Sequence, residues 1–336
     1  MTSDREKLRR LSDVVLACEP GNSARRHNGA VEAQRLQMSE LETPADDDAT
    51  RTAPIRGGSE AAIQHHYDAS NAFYALWLDE TMTYSCAFWR ESDDPEDLPA
   101  AQRRKLDYHL DAAGIARAQH VLDIGCGWGS LLQRALTHKH VQTATGLTLS
   151  EAQFQHIAAR GDERLRVRKE SWINHQPDTR YDSIVSIGAL EHFASLGDSP
   201  QEKIALYREF FRNCRAWLKP EGAMSLQTIA YGTMRPQDAI EFISKHIFPD
   251  SELPQPHELL EATSGLFEVT LLRNDRLQYR QTCNLWYQAL RRRRAEAVAI
   301  VGEDKVSQYE KYLRLSAFGF HSGRVGLLRL TLIPVV

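Results

Sequence analysis

Residues 120–138 read HVLDIGCGWGSLLQRALTH: an apolar run from His120 to Ile124, a loop with glycines at 125, 127 and 129, and helical spacing from Ser130 to His138. A strand that turns through glycines into a helix is a common opening of nucleotide-cofactor folds. Glycine lets the backbone turn tightly and approach a ligand closely, and the first turn of a helix favours polar or anionic groups. The same glycines could form a purely structural turn, but their place directly after a strand favours a cofactor loop. An NAD-type enzyme would show GxGxxG and an acidic residue closing the second strand. Neither is present, and the second strand instead ends Gly146-Leu147-Thr148-Leu149-Ser150.

Outward from that loop, apolar runs at Thr143–Leu147, Leu165–Lys169, Tyr181–Ile187 and Gly222–Ile229 read as strands. Helical spacing separates them over Ser130–His138, Ser150–Arg160 and Lys203–Leu218. Such alternation predicts an α/β fold with a parallel sheet covered on both faces. Two late runs, Phe267–Leu272 and Leu327–Ile333, bring the strands to seven, the last with the in-out alternation of an antiparallel edge. The helical residues between them include Asn284–Val301, and Gln102–Ala113 forms a helix upstream, stopped by Gly114.

Three parts follow. Residues 1–58 are rich in Arg, Glu, Asp, Ser and Ala and predict a mobile polar tail, with a short helix around Arg5–Cys18. Residues 59–115, with aromatics crowded from His65 to Trp89, read as an N-terminal helical flap. Residues 116–336 form the main domain, and an insertion at about 230–265, carrying Phe242, Ile243, Ile247 and Phe248, caps the carboxyl edge of its sheet.

Composition narrows the function classes. With 336 residues, 42% hydrophobic and 26% charged, the chain is an ordinary globular one rather than fibrous or disordered. A formal charge of -4 removes the broad basic field that nucleic-acid binding needs. Cys18, Cys86, Cys126, Cys214 and Cys283 are scattered and form no CxxC pair, which points away from a disulfide framework or a metal site and towards the cytoplasm. The start MTSDREKLRRL has no apolar leader core, and no apolar run of about 18 residues occurs, so a soluble protein is expected.

The DxGxGxG pattern from Asp123 to Gly129 resembles that of S-adenosylmethionine (SAM) methyltransferases. Four stretches in order, TYSC (Thr83–Cys86), LDIGCGWGS (Leu122–Ser130), GLTLSEAQ (Gly146–Gln153) and SIGALEHFA (Ser186–Ala194), resemble the cyclopropane-fatty-acid synthase and mycolic-acid cyclopropane synthase family. The likeness runs from about Ile63 to the C-terminus. It implies a class I SAM methyltransferase fold, Rossmann-like and seven-stranded with the last strand antiparallel, whose N-terminal flap covers the cofactor. By the same resemblance Tyr84 and Ser85 contact SAM from the flap, and Asp123, Gly125 and Gly127 belong to the loop along its methionyl part. Thr148, Leu149 and Gln153 hold the ribose and adenosine side, and Trp172 covers the adenine. Plain core packing is the other reading of Trp172.

Glu191 follows the fourth strand, at the edge where open α/β sheets place their chemistry, although an acid at a helix start is also favoured for its own sake. In the family the matching Glu joins a Cys in TYSC, a late Tyr and a His-x-Ile element to cradle a bicarbonate ion that serves as base. Here those positions are Glu191, Cys86, Tyr279 and Gln227-Thr228-Ile229. Gln227 departs from the His of the mycolic-acid enzymes: it can donate a hydrogen bond to an anion but cannot carry a proton at neutral pH.

The resemblance implies attack of an alkene carbon on the SAM methyl and loss of a proton, giving a cyclopropane, methylene or methyl-branched product of a lipid or acyl chain. Tyr84, Phe88 and Trp89 either stabilise cationic species or serve as core. A second reading keeps the chemistry class and places the methyl on carbon or nitrogen of a specialised metabolite. A third, a SAM-binding module without catalysis, is disfavoured by Glu191, Cys86 and Tyr279. Arg291–Arg294 could meet an acyl-carrier protein or an anionic membrane surface, or could simply be a solvated helix face. His65-His66 is expected to fasten the flap rather than bind metal, and Cys126 to pack.

Overall fold

The computed structural model describes residues 70–235 and 252–335. The expected tail at 1–58, His65-His66 and the four apolar residues of the expected cap lie outside the described residues.

Short apolar runs pair into one sheet: β1 (His120–Ile124), β2 (Thr143–Thr148), β3 (Leu165–Lys169), β4 (Tyr181–Ile187), β5 (Leu218–Tyr231), β6 (Phe267–Asn274) and β7 (Val325–Pro334). Their order is β3-β2-β1-β4-β5-β7-β6, with β1 to β5 parallel and β7 antiparallel to both neighbours. After β1 the chain moves to one side, through β2 and β3, and then returns to place β4 on the other. A crevice therefore opens between the carboxyl ends of β1 and β4, where such sheets bind ligands.

Parallel pairing demands crossovers, and helices supply all of them but the one from β3 to β4, which runs through turns at residues 170–180. Before β1 come a short turn α1 (Asn71–Tyr74) and α2 (Leu98–Ala112), the latter capped by Asp97, whose side chain accepts from the Ala100 amide. Next are α3 (Ser130–His138) and α4 (Glu151–Ala158), where Ser150 accepts from the Gln153 amide. Helix α5 (Pro200–Trp217) opens with a Ser199/Glu202 capping box. Helix α6 (Pro256–Thr263), from the end of the stretch expected to cap the sheet, instead buries Leu259 and Ala262 in one cluster with Leu206, Phe210 and Phe211 of α5.

One expectation needs correction. The alternation of Leu327–Ile333 suggests an edge strand, yet β7 lies between β5 and β6, and β6 is the edge. The polar member of the alternation, Arg329, is fully buried and ion-paired with Asp275, so it marks an internal pair and not a wet face. The late helical region includes Asn284–Val301 as expected, broken at Arg293, and extends over three helices: α7 (Arg276–Arg292), α8 (Arg294–Val301) and α9 (Glu303–Ser322). Tyr279, Cys283, Trp286 and Leu290 form the buried stripe of α7. That stripe joins Phe73, Tyr74 and Trp77 around α1, together with Trp128 and Tyr309, in an aromatic core beside the sheet.

Candidate active site

The crevice holds a cavity of about 790 Å³. It is lined by Tyr84 and Ser85 from the segment before α2, Asp123, Gly125 and Gly127 from the β1 turn, Thr148, Leu149 and Gln153 at β2 and α4, and Trp172 after β3. The structure thus brings every residue named for the cofactor to one space. Gly125 adopts φ +82°, and a Cβ there would stand 2.6 Å from the Ala189 Cβ. Gly127, at φ +55°, would meet nothing within 4 Å. The first glycine is thus required by packing and the second leaves the turn open beside the cavity.

Several polar groups face this cavity. Asp123 is buried, its Oδ1 has no hydrogen-bond partner, and burial pushes its carboxyl up to about 7. The Thr148 hydroxyl donates to Gln153 Oε1 at 2.7 Å, and Gln153 Nε2 makes no hydrogen bond among the described residues. Trp172 lines the cavity while its ring also packs edge-on against Phe210, so it is both wall and core. An unpartnered buried carboxylate, an amide and an indole suit an adenosine bearing an amino-acid end.

A second, mostly apolar cavity of about 160 Å³ adjoins the first, and Tyr84, Ser85, Gly188 and His192 line both. Glu191, Gln227, Ile229 and Tyr279 line this second space. Glu191 Oε1 accepts from the Ile229 amide at 2.6 Å, whereas Oε2 is buried without a partner. Burial pushes the Glu191 carboxyl up to about 7 against the opposing pull of the Ile229 amide. Gln227 Oε1 accepts from Arg329 Nε at 2.9 Å and from His109 Nε2 at 3.2 Å, and its Nε2 makes no hydrogen bond among the described residues. Tyr279 stacks on Phe320 at 4.4 Å, and burial raises its phenol well above its ordinary value.

Cys86 does not join them. Its thiol donates to the Ala87 carbonyl at 3.2 Å, it is pushed up to about 12 by burial, and it does not line the second cavity. Phe88 and Trp89 line neither cavity, and the Phe88 ring instead lies 5.1 Å from the Arg329 guanidinium, which leaves Tyr84 as the aromatic facing both spaces. The guanidiniums of Arg291 on α7 and Arg294 on α8 are paired with Glu310 and Glu303 on α9, and that of Arg293 with Glu296 on α8, which leaves the exposed Arg292 outside these pairs. Such a self-paired surface offers little charge to an outside anion.

Lys105, His109 and Arg329 are buried around the site without having been singled out in the sequence. A signal existed: Gln102, Lys105 and His109 share the buried face of α2 with Ala101, Leu106 and Leu110, where polar residues need a reason.

Residues 57–330 match the family model described as mycolic acid cyclopropane synthetase. The chain belongs to this family. It is 35% identical over 290 residues to the cyclopropane mycolic acid synthase MmaA2 of Mycobacterium tuberculosis, covering 80% of this chain and 96% of that protein. Identity to cyclopropane mycolic acid synthase 2 of Mycobacterium leprae is 36% over 274 residues, 75% and 86% of the two chains. The solved structure of the M. tuberculosis MmaA2 superposes with a TM-score of 0.74 at 31% identity over 83% of this chain and 99% of that one. Mycolic acid cyclopropane synthase CmaA1, solved with S-adenosylhomocysteine (SAH) and CTAB, gives 0.72 at 32% identity over 81% and 97%. As a member of the family the protein is an enzyme of the SAM-dependent methyltransferase class, with the class I fold.

Proposed function

We propose that the protein methylates an alkene carbon of a lipid or acyl chain, with SAM in the larger cavity and the acceptor in the smaller one. The observation that carries this reading is Glu191: a buried carboxyl with one unpartnered oxygen, on the apolar cavity that shares a wall with the cofactor cavity. SAM bound there supplies an electrophilic methyl group. Tyr84, Ser85, Gly188 and His192 form the common wall across which the acceptor carbon meets it. The apolar lining keeps water from competing as nucleophile, and Tyr84 offers a ring face to positive charge developing on the acceptor. As the new carbon–carbon bond forms, the methyl–sulfur bond of SAM would break with its electron pair left on sulfur, giving SAH, and the cationic acceptor must then release a proton. Glu191 Oε2 faces no competing donor and, with its carboxyl near 7, is tuned to accept that proton at neutral pH. Loss from the new methyl closes a cyclopropane ring, and loss from a neighbouring carbon leaves a methylene or branched alkene.

We also propose bicarbonate as an auxiliary base. Glu191, Tyr279 and the Gln227 amide would hold it, the Ile229 amide fixing Glu191, whereas Cys86, turned to the Ala87 carbonyl, would take no part. Gln227 suits an anion because Arg329 and His109 hold its oxygen and leave its N–H groups to donate.

A cavity of this volume takes something benzene-sized, so only the reacting segment of a long chain fits, and the remainder would run past the exposed Leu196 and Phe318 on its lining. The same small volume supports a second reading, a compact specialised metabolite methylated on carbon or nitrogen. We assign residues 1–58 to a tail, 59–115 to the flap and 116–336, with the insertion at 230–265, to the catalytic domain. Cytoplasmic location is proposed from the free, buried thiols of Cys86, Cys126, Cys214 and Cys283. No described helix is long and apolar enough to cross a membrane.

The test is incubation with isotope-labelled SAM and a panel of unsaturated acyl lipids, acyl-carrier conjugates and small alkenes or amines, in buffer with and without bicarbonate. Label in an acyl product, at a rate that rises with added bicarbonate, is expected. Label only in small acceptors favours the second reading, and full rate without bicarbonate leaves Glu191 as the direct base.

A further inference from the structure

The floor of the cofactor cavity carries two buried groups of opposite charge. Lys105 is 1% exposed and Asp123 is 3% exposed, and both line the cavity. They are not paired with each other: Lys105 makes no ion pair among the described residues, and Asp123 Oδ1 has no partner. The hydrogen bond that Lys105 makes runs from its ammonium to Ser85 Oγ at 2.8 Å. The other lysine on the cavity wall, Lys169, is engaged with Glu151 at 2.7 Å.

Burial acts on both groups against their charges, drawing Lys105 down to about 7 and Asp123 up to about 7. A buried charge persists where something compensates it. An ordinary hydrophobic fold would have no use for a lysine and an aspartate on one cavity wall, near enough to feel each other's charge yet joined by no ion pair. A zwitterionic amino-acid group supplies both missing charges at once, a carboxylate for the lysine and an ammonium for the aspartate.

We propose that Lys105 binds the α-carboxylate of the cofactor's amino-acid end. The assignment rests on the placement of SAM in this cavity and extends it to a residue on α2. It also gives the segment over the cavity a role. Gln102 Nε2 donates to the Ser85 carbonyl at 2.9 Å, and Lys105 holds the Ser85 hydroxyl, so one face of α2 ties that segment down beside the carboxylate position.

Calorimetry with SAH and with its decarboxylated analogue, 5′-(3-aminopropylthio)-5′-deoxyadenosine, tests the proposal without turnover. The unaltered protein should bind SAH roughly ten- to hundred-fold more tightly than the analogue, the range for a charge-assisted hydrogen bond. Lys105→Met should lower SAH affinity to that of the analogue and leave the analogue's affinity within about threefold. Ser85→Ala keeps the lysine charge and should keep the discrimination. Equal affinity of the unaltered protein for both ligands overturns the proposal, even if Lys105→Met does not fold. Equal losses of both ligands in Lys105→Met show a lysine that only braces Ser85, and loss of discrimination in Ser85→Ala assigns the carboxylate to the serine; either result overturns it. Failure of the unaltered protein to bind either compound would remove the cofactor assignment itself, and the proposal with it.

Discussion

Replacing Glu191 by glutamine should make the protein more stable and less active at the same time. The folded state holds the Glu191 proton with an affinity near 7, against 4.5 for the ordinary carboxyl, because burial disfavours the charge. The folded protein therefore binds this proton more tightly than the unfolded chain. The group's contribution to stability is complete below about 4.5, declines as pH rises and is lost above about 7. At 1.36 kcal/mol per pH unit the full span is about 3 kcal/mol, with about 2 to 3 kcal/mol of it between pH 5 and pH 8. Glutamine carries no such penalty, and its oxygen can still accept from the Ile229 amide. Urea unfolding of ligand-free Glu191→Gln and parent protein, followed by circular dichroism at both pH values, should show the variant gaining that amount relative to the parent at the higher pH. Turnover should fall by roughly 10² to 10⁴, the usual range for losing a general base, while SAM affinity stays within about twofold. A stability difference independent of pH would refute the desolvated carboxyl. Unchanged turnover would refute its role as base or ion holder and point to an acceptor that sheds its proton to water.

Gly127→Val should weaken SAM binding more than tenfold in calorimetry by filling the cavity, and should also lower the melting temperature, because a β-branched residue is strained at φ +55° even though its Cβ meets nothing within 4 Å. Gly125→Ala should likewise lower the melting temperature, because the added methyl collides with Ala189 at a φ that L residues avoid. Deleting residues 1–58 should leave turnover within tenfold of the full chain in the labelled-SAM assay, and a larger loss in a folded protein would give that segment a part in gating or recruitment.

The parallel core was legible because each of its strands is a short apolar run closed by turn residues, and β1, β3 and β4 fall on the residues expected from the sequence. The cofactor residues were legible for a related reason: they sit on the strand ends and adjoining turns, so local sequence order already places them at one edge. Arg329, Lys105 and His109 were not, because their burial depends on Asp275, Ser85 and Gln227, partners that no local pattern reveals. The position of β7 was misjudged for the same cause, as an arginine neutralised by a distant aspartate imitates a solvent-facing residue. Cys86 shows the opposite limit: its motif was plain, but the direction of its thiol, towards the Ala87 carbonyl, is a fact of packing.

The two cavities are inherited from different stretches of the chain. All of the larger cavity's wall lies between Met82 and Glu209, whereas much of the smaller one comes from residues between Tyr279 and Leu327, on α7, α9 and β7. With the acceptor in the smaller cavity, as proposed, donor and acceptor would be handled by segments that can change at separate rates. Substitutions along α9 would then reshape what is methylated while the grip on the donor stays intact, and among the described residues Tyr84, Ser85, Gly188 and His192, which line both spaces, would be bound by the two demands together. On that reading a lineage could explore new acceptors through its last sixty or so residues and keep one donor throughout.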